Sequence, residues 1–143
     1  MKLSDRVQAM QNSPIRKFNT MAAEAKAQGT KIYHLNIGQP DIETPPVFLE
    51  AIKNFDQKVL AYAESPGLPE LQDAIIDYFK RFEMNLDRKN VLITSGGSEA
   101  LTLVFLSLIN PGDEVIVAEP YYTNYLTFIQ AADGVVKPVT TYA

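Results

Sequence analysis

The first part of the chain is patterned as a helix followed by a short strand. Ser13 and Pro14 predict a helix start, because a small polar cap followed by proline is typical of a first turn. The predicted helix covers residues 15–28 and ends at Gly29, the residue type most common at helix C-termini. A short apolar run then predicts a strand over residues 34–37.

Two further helices are predicted, each beginning near a proline. Pro45 follows Thr44 at the start of one, and Pro69 opens the next. In both, apolar residues recur every three or four positions and so share one face. These apolar positions are Phe48, Ile52, Phe55 and Val59 in the first helix, and Leu71, Ile75, Tyr78 and Phe82 in the second.

From residue 91 onwards, short strands alternate with helices. Strands are predicted over 91–94, 114–118 and 135–139, and helices over 98–109 and 123–132. Such alternation through short turns implies an α/β fold with a parallel sheet. The helix over 98–109 is nearly all apolar, so we expect it to be buried on most sides. Three strands could not cover that much apolar surface, and the chain is therefore expected to be the front portion of a larger domain.

The turn between the strand at 91–94 and the apolar helix contains Gly96, Gly97 and Ser98. Glycines permit positive φ and let an anion approach without a Cβ in the way. The free N–H groups of the helix's first turn then point at the anion, helped by the helix dipole. The Ser98 hydroxyl could donate to the same anion or cap the helix. The pattern indicates an anion cradle, and a simple tight turn explains it equally well.

Composition and charge exclude several classes of function. The 143 residues carry a formal net charge of −4 without a cluster of Lys or Arg, which argues against a nucleic-acid or anionic-membrane surface. The absence of cysteine excludes disulfides and thiolate chemistry, and the single histidine, His34, cannot form a multi-histidine metal site. Neither a signal peptide nor a membrane-spanning run is recognised, so the expected location is the cytoplasm.

Four segments, taken together, resemble the class I and II aminotransferases, which are pyridoxal-phosphate enzymes of fold type I, and especially their aspartate-aminotransferase-like branch. The segments are LNIGQPDIETP at 35–45, YAESPGLPEL at 62–71, SGGSEAL at 95–101 and NPGDEVIVAEPYY at 110–122. The resemblance implies the first part of the large transferase domain, preceded by an N-terminal helical arm. Residues 1–46 would form the arm and a small-domain segment, and residues 47–143 the incomplete cofactor-binding domain.

The resemblance also implies roles for particular residues. The turn at 96–98 matches the segment that binds the cofactor phosphate, and Tyr122 matches the aromatic residue that stacks on the pyridine ring beside the substrate. Tyr62 matches a tyrosine that reaches the phosphate of the neighbouring subunit's cofactor, which implies a homodimer with a shared active site. Gly38 matches a glycine whose backbone approaches the substrate carboxylate. From the residues alone, a buried loop aromatic is the favoured interpretation of Tyr62, and a turn glycine is the favoured interpretation of Gly38.

The implied reaction is transfer of an amino group between an amino acid and a 2-oxo acid through pyridoxal phosphate. The family also needs a lysine that anchors the cofactor, an aspartate for the pyridine nitrogen and an arginine for the substrate carboxylate. No residue of this chain matches any of the three, so none is assigned as catalytic and the chain alone is expected to be inactive. A lyase or synthase of the same fold and a non-catalytic truncated or regulatory module remain alternatives. A dinucleotide-binding domain is disfavoured because the Gly-x-Gly-x-x-Gly spacing is missing.

Overall fold

The structure, a computed structural model, describes residues 2–10 and 14–142. Its contacts divide the chain into two compact units. The first unit contains Met1–Gly38 together with Ser95–Ala143, and the second contains Gln39–Thr94. The predicted helix start at Ser13 lies outside the described residues, whereas Pro14 begins a short 3₁₀ turn.

In the described part of the N-terminal segment, the first unit forms two α-helices. Helix α1 spans Asp5–Ala9 and is capped by Ser4, and helix α2 spans Asn19–Ala27. The helix predicted over 15–28 therefore begins later than expected, because a 3₁₀ turn over Pro14–Arg16 precedes it. Its end is confirmed, since Gly29 follows it in the left-handed conformation with φ of +88°.

The second unit contains helix α3, which spans Pro46–Lys53, and helix α4, which spans Pro69–Lys80. The start of α4 is confirmed at Pro69. Helix α3 is shorter than the periodicity suggested, and the prediction that it extends to Val59 is wrong. Asn54 follows its last residue, and a side-chain amide that competes for backbone hydrogen bonds favours leaving the helix there.

The buried face of helix α4 is rotated about the helix axis by one residue relative to the predicted face. Leu71 is 44% exposed, whereas Gln72 and Ile76 are buried at 4% and 8%. The Gln72 side-chain amide donates to the Val91 carbonyl at 2.7 Å and to the Arg88 carbonyl at 3.3 Å. These two hydrogen bonds satisfy a polar group inside the unit and turn the helix towards residues 88–91.

The segment at 91–94 does not join a sheet among the described residues, so the strand predicted there is not formed. The Ile93 N–H donates to the Pro66 carbonyl at 2.8 Å instead. Gly67, with φ of +112°, lies directly against Ile93, and a Cβ at Gly67 would stand 2.2 Å from Ile93 Cγ1. The close approach of two backbones thus fixes this part of the second unit.

The remaining elements of the first unit form the predicted α/β arrangement. Helix α5 spans Gly97–Leu108, strand β1 Glu114–Glu119, helix α6 Asn124–Ala131 and strand β2 Val135–Thr140. Strand β1 pairs with β2 in parallel, in a register that runs from Glu114 opposite Val135 to Glu119 opposite Thr140. The parallel sheet is confirmed. Within the described residues it has two strands, and the strand predicted over 34–37 is absent from it.

Helix α5 is less buried than predicted. No residue of α5 is fully buried, and Leu106 and Leu108 are 58% and 74% exposed. It packs mainly against α6, and its Leu101 and Phe105 line an open cavity together with residues of β1, so much of its apolar surface stays exposed. The core of this unit lies instead on α6, where Ile129 is completely buried.

A charged pair joins the N-terminal helix to the turn between α6 and β2. The Arg6 guanidinium donates to both carboxylate oxygens of Asp133, at 2.7 Å and 2.5 Å. Such a two-point contact fixes orientation as well as distance. Within the described ranges, no helix is both long and apolar enough to cross a membrane.

Candidate functional site

The start of α5 is an open turn lined by backbone N–H groups. Gly96 has φ of +149°, a conformation that only glycine adopts readily, and Gly97 is the first helical residue. The first hydrogen bond into the helix runs from the Ala100 amide to the Gly96 carbonyl at 3.2 Å. The amides of residues 97–99 precede it and so have no acceptor inside the helix. A Cβ at Gly96 or Gly97 would meet no atom within 4 Å among the described residues.

Two side chains complete this turn. The Glu99 carboxylate accepts a hydrogen bond from the Ser95 N–H at 2.6 Å, which closes the turn and directs the negative charge back towards Ser95. Within the part of the chain that the structure describes, the Ser98 hydroxyl has no partner and remains available as a donor. Glu99 is not among the site residues predicted from the sequence, although an acidic residue in the first turn of a helix is a recognised signal.

The topology brings Tyr122 to the same edge of the sheet as this turn. Helix α5 leads into β1 through residues 109–113, and α6 follows the end of β1. Each helix runs back along the strand that it is joined to, so the start of α5, the end of β1 and the start of α6 meet at one edge. Tyr122 lies between β1 and α6 and is 50% exposed. Open α/β sheets bind their ligands at this carboxyl edge.

The Tyr122 ring is held from two sides. Asn124 Nδ2 donates to Tyr122 Oη at 2.7 Å. The Tyr125 ring stands edge-on to it, with centroids 5.7 Å apart and planes at 90°. Next to Tyr122, the Thr123 hydroxyl oxygen is buried without a hydrogen-bond partner in the described residues. No sequence signal pointed to Asn124, because its role depends on where two side chains meet.

The other two predicted site residues are described separately. Gly38 belongs to the first unit, is exposed, and has open space where a Cβ would stand. Tyr62 belongs to the second unit and is fully exposed. Their predicted roles involve a substrate and a partner subunit, and they remain predictions. In the described residues, no group of three His, Asp or Glu side chains could hold a metal ion.

A parallel α/β unit with an anion cradle and an aromatic ring at the carboxyl edge of its sheet defines a class of ligand-binding domain. The family is shown by comparison with known proteins. Residues 30–143 match the family model "Aminotransferase class I and II", and the chain belongs to that family.

Known relatives agree with this assignment. The chain is 38% identical over 141 residues to the aspartate/prephenate aminotransferase of Thermus thermophilus, and this alignment covers 97% of the chain and 37% of that protein. It is 39% identical over 137 residues to an asparagine–oxo-acid transaminase of Streptococcus mutans, covering 94% of the chain and 35% of that protein. A solved structure of a Thermus thermophilus aspartate aminotransferase single mutant superposes with a TM-score of 0.89 at 38% identity, over 99% of the chain and 38% of that structure. The chain thus spans a little over a third of these relatives.

Proposed function

We propose that the chain forms the N-terminal part of a pyridoxal-phosphate-dependent aminotransferase, which moves an amino group between an amino acid and a 2-oxo acid. The observation that carries this proposal is the open start of α5, whose unused amides lie at the same sheet edge as the half-exposed Tyr122 ring. Residues 1–46 would form the arm and small-domain segment of the complete enzyme, and residues 47–143 the start of its large domain.

The residues present fit the phosphate of this cofactor. A phosphate group carries most of two negative charges and several acceptor oxygens, which match the amides of Gly97 and Ser98 and the Ser98 hydroxyl. The missing side chains at Gly96 and Gly97 leave space for it to approach. The Glu99 carboxylate, the nearest like charge in the sequence of the turn, is already bonded to the Ser95 N–H.

The remaining roles follow from this position. Tyr122 would stack on the pyridine ring, an interaction worth about 1 kcal/mol beyond the burial of area. Gly38 would leave room for the substrate carboxylate, and Tyr62 would reach the phosphate bound by the partner in a homodimer. When bound, the cofactor supplies an electron sink that makes the α-proton of the amino acid removable. This chain's residues would bind and orient it.

No lysine of the chain is proposed to anchor the cofactor. Among the described residues, three lysines form exposed ion pairs with carboxylates at 2.7–2.9 Å: Lys80 with Asp77, Lys89 with Asp87 and Lys137 with Glu114. A lysine that anchors the cofactor needs a side-chain nitrogen that is free to attack an aldehyde, whereas the nitrogens of these three lysines are each paired with a carboxylate.

The direct test uses the full natural polypeptide that contains residues 1–143. Titration with pyridoxal phosphate, followed by an amino-transfer assay with a panel of amino acids and a 2-oxo acid, should give saturable binding and transfer. Gly97→Asp, which places a carboxylate over the cradle, should weaken cofactor binding by at least about tenfold through like-charge repulsion. Ser107→Asp is the matched control, because it adds the same carboxylate at an exposed position in the last turn of α5.

Three results would contradict the proposal. The first is a wild-type protein that binds no cofactor, and the second is a Gly97→Asp variant that binds as tightly as Ser107→Asp. The third is release of ammonia without amino transfer, which would indicate a lyase of the same fold.

The 143-residue chain alone provides a second test. After addition of pyridoxal phosphate and reduction with borohydride, peptide mass mapping should find no specific lysine adduct. Stoichiometric labelling at one lysine would show that the chain holds an anchoring lysine after all.

A further inference from the structure

Asn124 is the first residue of α6, and its side chain reaches back to the ring of Tyr122. We propose that Asn124 is a positioning residue, which fixes the plane of the Tyr122 ring against the cofactor. The proposal rests on the function proposed above. It concerns the residue that holds the ring rather than the ring itself.

The Tyr122 ring needs such an anchor because it is half exposed. Rotation about the bond that carries the ring is soft, so packing on one side alone leaves its plane poorly defined. The hydrogen bond from Asn124 Nδ2 holds the far end of the side chain at 2.7 Å, and the edge contact with Tyr125 holds the middle. Two contacts at different points along one rigid side chain define both its direction and its tilt.

The Asn124 amide has no competing structural role in the helix. Asparagine near a helix start commonly caps it, but at the start of α6 no side chain makes a capping hydrogen bond among the described residues. Asn124 is instead the first helical residue, where its own backbone N–H needs no acceptor inside the helix. Its side chain is therefore committed to the phenol of Tyr122.

The direction of this hydrogen bond also sets the chemistry of the phenol. The amide nitrogen of Asn124 can only donate, so the Tyr122 oxygen is the acceptor. The hydroxyl proton of Tyr122 is then free to point to another acceptor. A phenylalanine at this position would keep the flat ring and lose both the anchor and the outward donor.

The test is a double-mutant cycle in the full natural polypeptide. Asn124→Leu keeps the side-chain size and removes the donor, and Tyr122→Phe removes the acceptor. Asn124→Leu should raise the dissociation constant for pyridoxal phosphate about fivefold, the usual effect of one lost hydrogen bond. In the Tyr122→Phe background, the same change should have an effect within about twofold. Thr127→Val, at an exposed position of the same helix, is the matched control.

A second measurement reports the ring without the cofactor. In protein labelled with fluorotyrosine, the Tyr122 resonance is assigned by its loss in Tyr122→Phe. Asn124→Leu should move that resonance towards the unfolded position, because the ring leaves the field of Tyr125, and Thr127→Val should leave it in place. A purely structural role of Asn124 would instead lower the melting temperature without changing this resonance selectively.

The outcomes separate the two proposals. Wild-type protein that binds no pyridoxal phosphate would overturn the proposed function. Wild-type binding together with an unchanged dissociation constant and an unchanged Tyr122 resonance in Asn124→Leu would overturn the positioning role alone. An equal loss of affinity from Asn124→Leu in both backgrounds would also overturn it, since the effect would not pass through the phenol.

Discussion

Replacing Gly67 with alanine should destabilise the second unit by forcing two backbones apart. The added Cβ would lie 2.2 Å from Ile93 Cγ1 and 2.5 Å from Ile93 Cβ, where ordinary carbon contacts are about 3.5–4 Å. Because the Ile93 Cβ is fixed to the backbone, a change of side-chain rotamer cannot relieve the overlap. The chain at 66–67 or at 93 must move, and the hydrogen bond from the Ile93 N–H to the Pro66 carbonyl must weaken.

The expected cost has two parts. Overpacking of this kind costs about 1–3 kcal/mol. A side chain at φ of +112° adds a backbone strain of about 1–3 kcal/mol. A total of about 3 kcal/mol corresponds to a change of roughly 150-fold in the local opening equilibrium. Gly112→Ala is the matched control, because its φ of +89° costs similar strain while its Cβ would meet nothing within 4 Å.

Hydrogen exchange of the full natural polypeptide, followed by mass spectrometry, measures this directly. In Gly67→Ala, the peptide that contains Ile93 should exchange roughly a hundredfold faster than in wild type, while peptides of the first unit stay unchanged. In Gly112→Ala, the peptide with Ile93 should not change. Equal protection of Ile93 in wild type and Gly67→Ala would refute the reasoning, because it would mean that the two backbones are not in contact.

Two further predictions concern a charge and a core residue. Two hydrogen bonds from the Arg88 guanidinium, at 2.7 Å and 2.5 Å, lower the pKa of Asp73 below the ordinary aspartate value. The Asp73 carboxylate therefore stabilises residues 88–90 fully at a pH above the ordinary aspartate pKa. This stabilisation is lost as the pH falls through the lowered pKa. Exchange protection of residues 88–90, corrected for intrinsic rates, should fall on acidification in wild type. It should depend less on pH in Asp73→Asn, whereas Asp77→Asn should behave like wild type. Ile129→Ala should lower the free energy of unfolding by about 2–5 kcal/mol, because the side chain is 0% exposed. Ile116→Ala should lower it by less than about 0.5 kcal/mol, because that side chain is 75% exposed. Amide exchange of β2, measured in both variants, compares the two losses.

The parts of the fold that the sequence predicted are those determined by local chemistry. Pro69 and Gly29 set a helix start and a helix end because their backbone preferences act within a few residues. The alternation of helices and strands from α5 to β2 was also predicted from the sequence. A strand repeats its apolar positions about every two residues and a helix every 3.6, and the two patterns are easily distinguished over a whole element. These signals need no knowledge of distant contacts.

The parts that sequence reasoning missed depend on distant partners. The buried face of α4 differs from the predicted one by one residue, because the buried Gln72 amide donates to the carbonyls of Arg88 and Val91. Hydrophobic periodicity carries no information about these distant acceptors. The apolar run at 34–37 was predicted as a strand, but a strand exists only where another strand pairs with it. The prediction that α5 is buried on most sides is wrong for a similar reason, because a helix is buried only where other elements pack against it.

The candidate site divides in the same way. The turn at 96–98 could be predicted as an anion cradle, because glycines and a following helix create the geometry locally. Glu99 and Asn124 act through side chains that bend back on the chain at 2.6–2.7 Å, and residue identity alone does not fix those directions. The resemblance to a family supplied the roles of Tyr62 and Gly38, which local chemistry would have left as ordinary loop positions.

The exposed surface of α5 has a consequence for how such a protein is made. Leu103, Val104, Leu106 and Leu108 are 41–74% exposed. In a polypeptide of the relatives' length, synthesised at about 5–20 residues per second, this apolar helix would be exposed outside the ribosome for tens of seconds before synthesis is complete. During that interval, neighbouring nascent chains can associate through it. Chaperones that shield apolar helices during translation should therefore raise the yield of folded protein, even though they leave its final stability unchanged.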